Sequence, residues 1–428
     1  MDQGNTAFLL LASALVLLMT PGLAFFYGGL VKAKSVISMM MMSFGAIGLI
    51  GVLWAIYGYA IAFSNDVGVD GLIGIDFNNI LLAGSVDPGE GAFPPLAFVA
   101  FQATFAIITV ALISGAIADR AKFGAWMVFA GIWATVVYFP VASWVFNFTL
   151  GDNPNAADFS AANFANGGWL TFGLQNVFGV GALDFAGGTA VHINAGAAAL
   201  ALALVLGKRV GFAKGAHVPH NPPFVLLGAG LLWFGWFGFN AGSELAADGY
   251  AALAFVNTLI APAAALLAWL VVEKIKDGKP TSIGAASGAV AGLVAITPAC
   301  AFLTPGYALL LGVLAGVICA LAIDLKFKLG FDDSLDVVGI HLVGGLLGTL
   351  FLGFFATGAG LVYSGSFAQL AVQAIAAFSV MIYSFVLAFV IGFIIEKTMG
   401  FRIKSEDEIA GIDTVVHGEE GYVLADTK

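Results

Sequence analysis

The chain has 428 residues, of which 60% are hydrophobic and only 10% are Asp, Glu, Lys or Arg. A soluble domain carries roughly 25% charge, so a soluble enzyme, a secreted disulfide scaffold and a nucleic-acid binder are excluded. The net charge of −10 and two cysteines, Cys300 and Cys319, both in apolar stretches, leave a polytopic membrane protein with acidic loops and inert buried thiols.

In chain order, the first apolar run reaches about Leu30 with no basic leader segment. It is too long for a signal-peptide core and is read as a retained membrane helix. Lys32 and Lys34 follow it. The next basic clusters are Arg120 and Lys122; Lys208, Arg209 and Lys214; Lys274, Lys276 and Lys279; Lys326 and Lys328; then Lys397, Arg402 and Lys404, with Lys428 at the end. Each of the five stretches between clusters holds two helices of about 20 residues. Each also has a polar break free of Lys and Arg, at 64–94, 151–169, 244–249, 304–306 and 357–366. Basic loops stay in the cytoplasm. One helix plus five pairs therefore predicts an all-α membrane protein of eleven helices, with the N-terminus outside and the C-terminus inside.

An odd count fits an inverted repeat of five plus five helices, with one more packed around it. We expect repeat one at about 6–208, repeat two at about 220–357 and helix eleven at about 367–396. Together they make a membrane domain of 1–400, followed by a cytoplasmic tail of 401–428. Gly22, Phe25, Phe26, Gly28 and Gly29 of helix one correspond to Gly235, Gly238, Phe239, Ala241 and Gly242 of helix six. Asp184, His192 and Gly196 of helix five match Asp333, His341 and Gly345 of helix ten at identical spacings.

Ionisable residues inside spans mark function. His192 lies eight residues, roughly 12 Å, beyond Asp184. His341 enters helix ten from the other side, so the two imidazoles can meet near the midplane. They can bind a metal, although no third ligand is near and none is expected; they can relay protons; or they can line a narrow pore. With so few other charges in the spans, a small and mostly neutral solute fits best. Asp184 can bind a cation or cap helix five, and the cap is favoured. Asp336 is expected to be its counterpart on helix ten. His217 and His220 are read as an ordinary loop rather than a metal site.

Of the 38 Phe residues most are packing. Two clusters stand apart, Phe101–Gln102–Ala103–Thr104–Phe105 and the run from Trp233 to Ser243. Aromatic faces beside a hydroxyl suit a small cation, at about 0.5–2 kcal/mol per ring.

The strings GLAFFYGGLVKAK from Gly22, FQATFAIITVALISGAIADRAK from Phe101, DFAGGTAVHINAG from Asp184, WFGWFGFNAGS from Trp233 and DDSLDVVGIHLVGG from Asp332 resemble the Amt branch of the Amt/Mep/Rh ammonium transporter family. The resemblance covers nearly the whole chain. It implies a multi-pass cell-membrane protein that takes up ammonium or ammonia, with methylammonium as an analogue. It also implies a homotrimer with a pore through each subunit and no cofactor. His192 and His341 then resemble the family's twin pore histidines, and Phe105 and Phe239 its stacked gate. Phe101, Ser243 and Trp236 match positions at or near the external ammonium site, and Asp184 matches the family's indispensable aspartate. The family's Trp after P-x-A-H-x-x is replaced here by Phe146, with Trp144 two residues away, and either can complete the outer site. In the tail, Gly411, Asp413, His417, Gly418, Glu419 and Tyr422 resemble the end that docks a PII-type signal protein. A sensor signalling through that tail is the alternative function. An intramembrane hydrolase is disfavoured, because His192 has no nucleophile motif beside it.

Overall fold

The computed structural model describes every residue except 65–66, 70, 88, 90, 151–163, 213–217 and 423–428. Lys214, His217, Lys428 and most of the break at 151–169 lie outside the described residues. Among the described residues, ten helices are long and apolar enough to cross a membrane. They are α1 (Gln3–Leu30), α2 (Ala33–Ala62), α3 (Pro95–Ile117), α4 (Phe123–Phe146), α5 (Gly188–Leu206), α6 (Pro222–Gly242), α7 (Gly249–Lys276), α9 (Pro305–Leu329), α10 (Val338–Phe355) and α11 (Ala368–Thr398). The remaining predicted segment is α8 (Ser282–Ile296), apolar and largely buried but only 15 residues long.

Helix starts follow local chemistry. Asp2, Asp248 and Thr281 accept first-turn N–H groups of α1, α7 and α8, satisfying donors that a helix leaves unpaired. Pro95, Pro222 and Pro305 open α3, α6 and α9, where the missing N–H costs nothing. In an apolar medium the remaining backbone groups must pair within each helix, and the long apolar runs allow it.

Association between helices depends on small residues. The largest contact is α1 on α6; α7 packs on α8 and α9, and α5 on α11. A methyl group added at Gly228 of α6 would stand 2.2 Å from the Phe26 backbone nitrogen, so only glycine permits that approach.

At one end of the bundle sit two antiparallel hairpins, β1 (Val67–Val69) with β2 (Ile73–Ile75) and β3 (Phe148–Leu150) with β4 (Phe164–Gly167). The Trp169 N–H donates to the Gly71 carbonyl at 3.0 Å and ties them together. The opposite end carries the tail, with a short helix at Ser405–Ala410 folded under the bundle.

Candidate functional site

His192 and His341 meet. Their rings lie 5.2 Å apart at 26°, and the two Nδ1 atoms are 3.2 Å from each other. One imidazole must donate and the other accept, so the pair holds one proton between the Nδ1 atoms. Nε2 of His192 is buried and has no hydrogen-bond partner among the described residues. Both histidines sit on π-helical turns, Gly188–Ile193 and Val338–Leu342, a widened geometry common at functional positions. Gly196 and Gly345, one turn beyond each histidine, bring α5 and α10 together. A methyl at Gly196 would stand 2.5 Å from the Leu342 nitrogen, and one at Gly345 3.2 Å from Cβ of His192.

The cavity beside the pair offers about 10 Å³ to the centre of a water-sized molecule, room for roughly one. Met19, Leu23, Ile108, Leu112 and Val290 make it apolar around the imidazoles. Toward the hairpin end Phe239 covers it, stacked on Phe105 at 4.1 Å and 21°. Phe101 packs on Phe105 at 4.8 Å, and its ring borders Gly242. The Ser243 hydroxyl donates to the Phe239 carbonyl at 2.8 Å, and its oxygen keeps the capacity to accept.

The other sequence-predicted aromatics separate. Phe146 stands edge-on to Phe105 at 6.3 Å. Trp144 turns toward the hairpins: its Nε1 donates to the Leu72 carbonyl at 2.5 Å, and its ring packs on Trp169 and Tyr383. Trp236 lies seven residues before Ser243, about two helical turns away. It stacks on His192 at 5.5 Å and donates to Thr297 Oγ1 at 2.8 Å, so it belongs to the histidine cavity.

Asp184 accepts four backbone N–H groups, from Gly187 at 2.9, Gly188 at 2.6, Thr189 at 2.8 and Ala190 at 3.1 Å. On α10 the cap is Asp333 rather than Asp336, with Oδ2 accepting the Val338 N–H at 2.7 Å. Asp336 adopts φ +63° and pairs instead with Lys326 Nζ at 2.6 Å.

Glu244 follows Ser243 directly, and in the sequence it is marked only as the first residue of the polar break at 244–249. Burial, then the charge and hydrogen bond of Asp248, push its carboxyl up to about 8. The sequence reading passed over an ionic knot at the tail end. Arg209 bridges Asp332 and Asp119 at 2.9 and 3.0 Å, and buried Arg120 donates to the Asp332 carbonyl and the Ser334 hydroxyl. Burial alone would raise the Asp332 carboxyl, but the hydrogen bonds and charge of Arg209 hold it below its ordinary value. Burial draws the Arg120 guanidinium down to about 10. Reading these residues only as basic-loop markers hid the knot.

The tail is docked on this end. Asp413 accepts the N–H groups of Ile37 and Ser38 at 3.0 and 2.7 Å, and Lys34 donates to the Ile409 carbonyl. The rings of His417 and Phe123 are 5.3 Å apart, and Tyr422 shares a 2.8 Å hydrogen bond with His220. Gly411 and Gly418 take positive φ, and Glu419 is exposed.

Residues 7–422 match the model of the Ammonium Transporter Family. The chain is 54% identical to an ammonium transporter of Mycobacterium tuberculosis (strain H37Rv), over 99% of this chain and 91% of that one. It is 40% identical to ammonium transporter Amt1 of Archaeoglobus fulgidus, over 99% and 100%. Among solved structures it resembles Candida albicans Mep2, with TM-score 0.81, 31% identity and coverage of 95% and 88%. It also resembles a sensor Amt protein, with TM-score 0.86, 27% identity and coverage of 97% and 98%.

Proposed function

Because the chain belongs to the ammonium transporter family, and is a multi-pass membrane transporter of ammonium rather than an enzyme, we propose that it recruits ammonium at the hairpin end and passes ammonia along His192 and His341. The observation that carries this reading is the one-molecule, largely apolar cavity around the two imidazoles behind the Phe105–Phe239 stack. Phe101, Phe146 and Ser243 form the recruiting site, by cation–π contact and a hydroxyl acceptor. Desolvation behind the stacked rings disfavours the cation, so the proton leaves there and the neutral base enters. The imidazole pair then supplies a donor or acceptor in an otherwise apolar passage. Asp184 holds the start of α5 in place and adds negative potential.

In this reading α8 completes eleven spans, with the hairpin end outside and the tail inside. The repeats are 6–208 and 220–357, α11 is the extra helix, and the tail is 401–428. Three subunits assemble, each with its own pore, and the tail that carries Gly411, Asp413, His417, Gly418, Glu419 and Tyr422 forms the face for a PII-type protein, with Asp413 anchoring it to α2 from within. The likeness to a sensor Amt structure keeps a signalling role as the second reading.

Purified protein in liposomes is expected to take up methylammonium. His192→Ala with His341→Ala is expected to cut uptake at least about tenfold, the worth of about 1.4 kcal/mol of hydrogen bonding. Unchanged uptake in the double variant overturns the histidine roles. No proton-driven uptake above leak by wild type, with binding retained, favours the sensor.

A further inference from the structure

Asp333 is buried, with 1% of its surface exposed, and the passage described above makes no use of it. Oδ2 caps α10 through Val338, and the Val337 N–H also acts on the carboxylate, while Oδ1 is buried and has no partner within hydrogen-bond limits among the described residues. Its repeat mate Asp184 differs, because four backbone donors occupy both oxygens. An unpaired buried carboxylate oxygen is costly, and protonation is the simplest relief.

Asp333 itself lines neither the histidine cavity nor the one at the tail end, but its neighbours reach toward both. Lys326 Nζ donates to the Asp333 carbonyl at 3.0 Å and to Asp336 Oδ1 at 2.6 Å. Lys326, Ser334 and Asp336 line a cavity of about 180 Å³ at the tail end. On the other side stands Tyr27, within electrostatic reach of Asp333 and Asp336. Its hydroxyl donates at 3.0 Å to the carbonyl of Leu112, which lines the histidine cavity. Lys326, Asp336 and Tyr27 are the titratable groups that face this carboxyl; Arg120 and Arg209 engage its neighbour Asp332 instead. Burial pushes the Asp333 carboxyl up to about 6, against the pull of Lys326 and helped by Asp336.

We propose that Asp333 is the proton carrier on the tail side of the histidine pair, a role that rests on the transport reading above. The protonated acid gives its proton, through water of the tail-side cavity, to ammonia that has passed His341. The O–H bond of the acid breaks and a fourth N–H bond forms on nitrogen, leaving ammonium and the Asp333 carboxylate. The carboxylate recovers a proton from hydronium in the internal water. The sum is hydronium plus ammonia giving ammonium plus water. The acid form exists below its pKa, so the contribution is full at an internal pH below about 5 and fades as pH rises through about 6.

The test measures initial methylammonium uptake into liposomes at fixed external pH while internal pH is stepped from about 5 to about 8. Wild type is expected to slow severalfold across this range, with a midpoint near 6. Asp333→Asn keeps a side-chain oxygen for the Val338 N–H but cannot carry the proton. It is expected to lose the internal-pH dependence and run at the wild-type alkaline rate. Asp333→Glu is expected to restore a titrating profile with a shifted midpoint, which a purely structural residue would not do. A wild-type profile in Asp333→Asn, or a loss that Asp333→Glu does not rescue, overturns the inference. Wild-type liposomes that take up nothing overturn the transport reading itself, and this inference with it.

Discussion

Trp144 and Phe146 are two residues apart on α4, about 200° around a helix at 100° per residue, so they face opposite sides. Sequence alone leaves open which side faces the gate, because both rings are apolar and both flanks are buried. The structure puts Phe146 edge-on to Phe105 and ties the Trp144 indole to the Leu72 carbonyl. A larger π-face at the gate strengthens cation–π attraction, with Trp the best ring. Phe146→Trp is therefore expected to lower the methylammonium concentration for half-maximal uptake by a few fold at unchanged maximal rate. Trp144→Phe removes one hydrogen bond, worth about 1 kcal/mol, and is expected to lower the unfolding temperature while leaving the half-saturation concentration alone. A shift in half-saturation with Trp144→Phe and none with Phe146→Trp reverses the assignment. The histidines and Asp184 stood out in the sequence because ionisable residues are rare in these spans, whereas Phe105 and Phe239, two of 38 Phe, stood out as the gate only through the resemblance. Asp333 was legible by spacing but masked by Asp336 three residues on, whose positive φ turns it to Lys326.

Long apolar segments punctuated by Lys and Arg are readable because each helix must satisfy its own backbone in a membrane. The ten long helices fall where basic clusters and polar breaks place them. The π-helical turns at His192 and His341 are not readable, since they arise from packing between α5 and α10 rather than from local propensity. What sets that packing is glycine. Gly196→Ala would put a methyl 2.5 Å from the Leu342 nitrogen, and backbone cannot swing aside as a side chain can. The expected cost is about 1–3 kcal/mol of overpacking, relieved by α5 and α10 separating and parting the imidazoles. Gly196→Ala is therefore expected to lower both the unfolding temperature and uptake. Gly230→Ala on α6, which has open space around it, serves as the control and is expected to change neither. Equal effects of the two substitutions would show that the approach of α5 and α10 is not limiting.

At its tail end the molecule is held by buried charge as well as by the buried apolar residues Phe401, Ile403 and Ile412. Glu408 of the tail, only 2% exposed, accepts the Val210 N–H at 2.7 Å and pairs with Arg402 at 2.9 Å. Arg402 in turn donates to the Leu206 carbonyl at the end of α5. Asp413 caps the start of α2, so the tail joins two distant helices through these acids. Composition could not reveal this, because an acidic tail docked on a bundle and one in solvent have the same residues. Breaking a buried pair by neutralising one partner leaves the other charge unpaired, at about 3–5 kcal/mol. Part of that is recovered when the tail lifts into water, so the tail rather than the bundle is expected to open. Glu408→Gln is predicted to raise the rate of trypsin cleavage after Lys404 severalfold at an unchanged unfolding temperature of the membrane domain, since cleavage tracks the population of the opened segment. Glu406→Gln, on the exposed side of the same short helix, is predicted to leave cleavage at the wild-type rate. If the two variants are cut equally fast, the Glu408 contacts do not hold the tail, and the clasp must rest on Asp413 and the apolar contacts of Phe401 and Ile403.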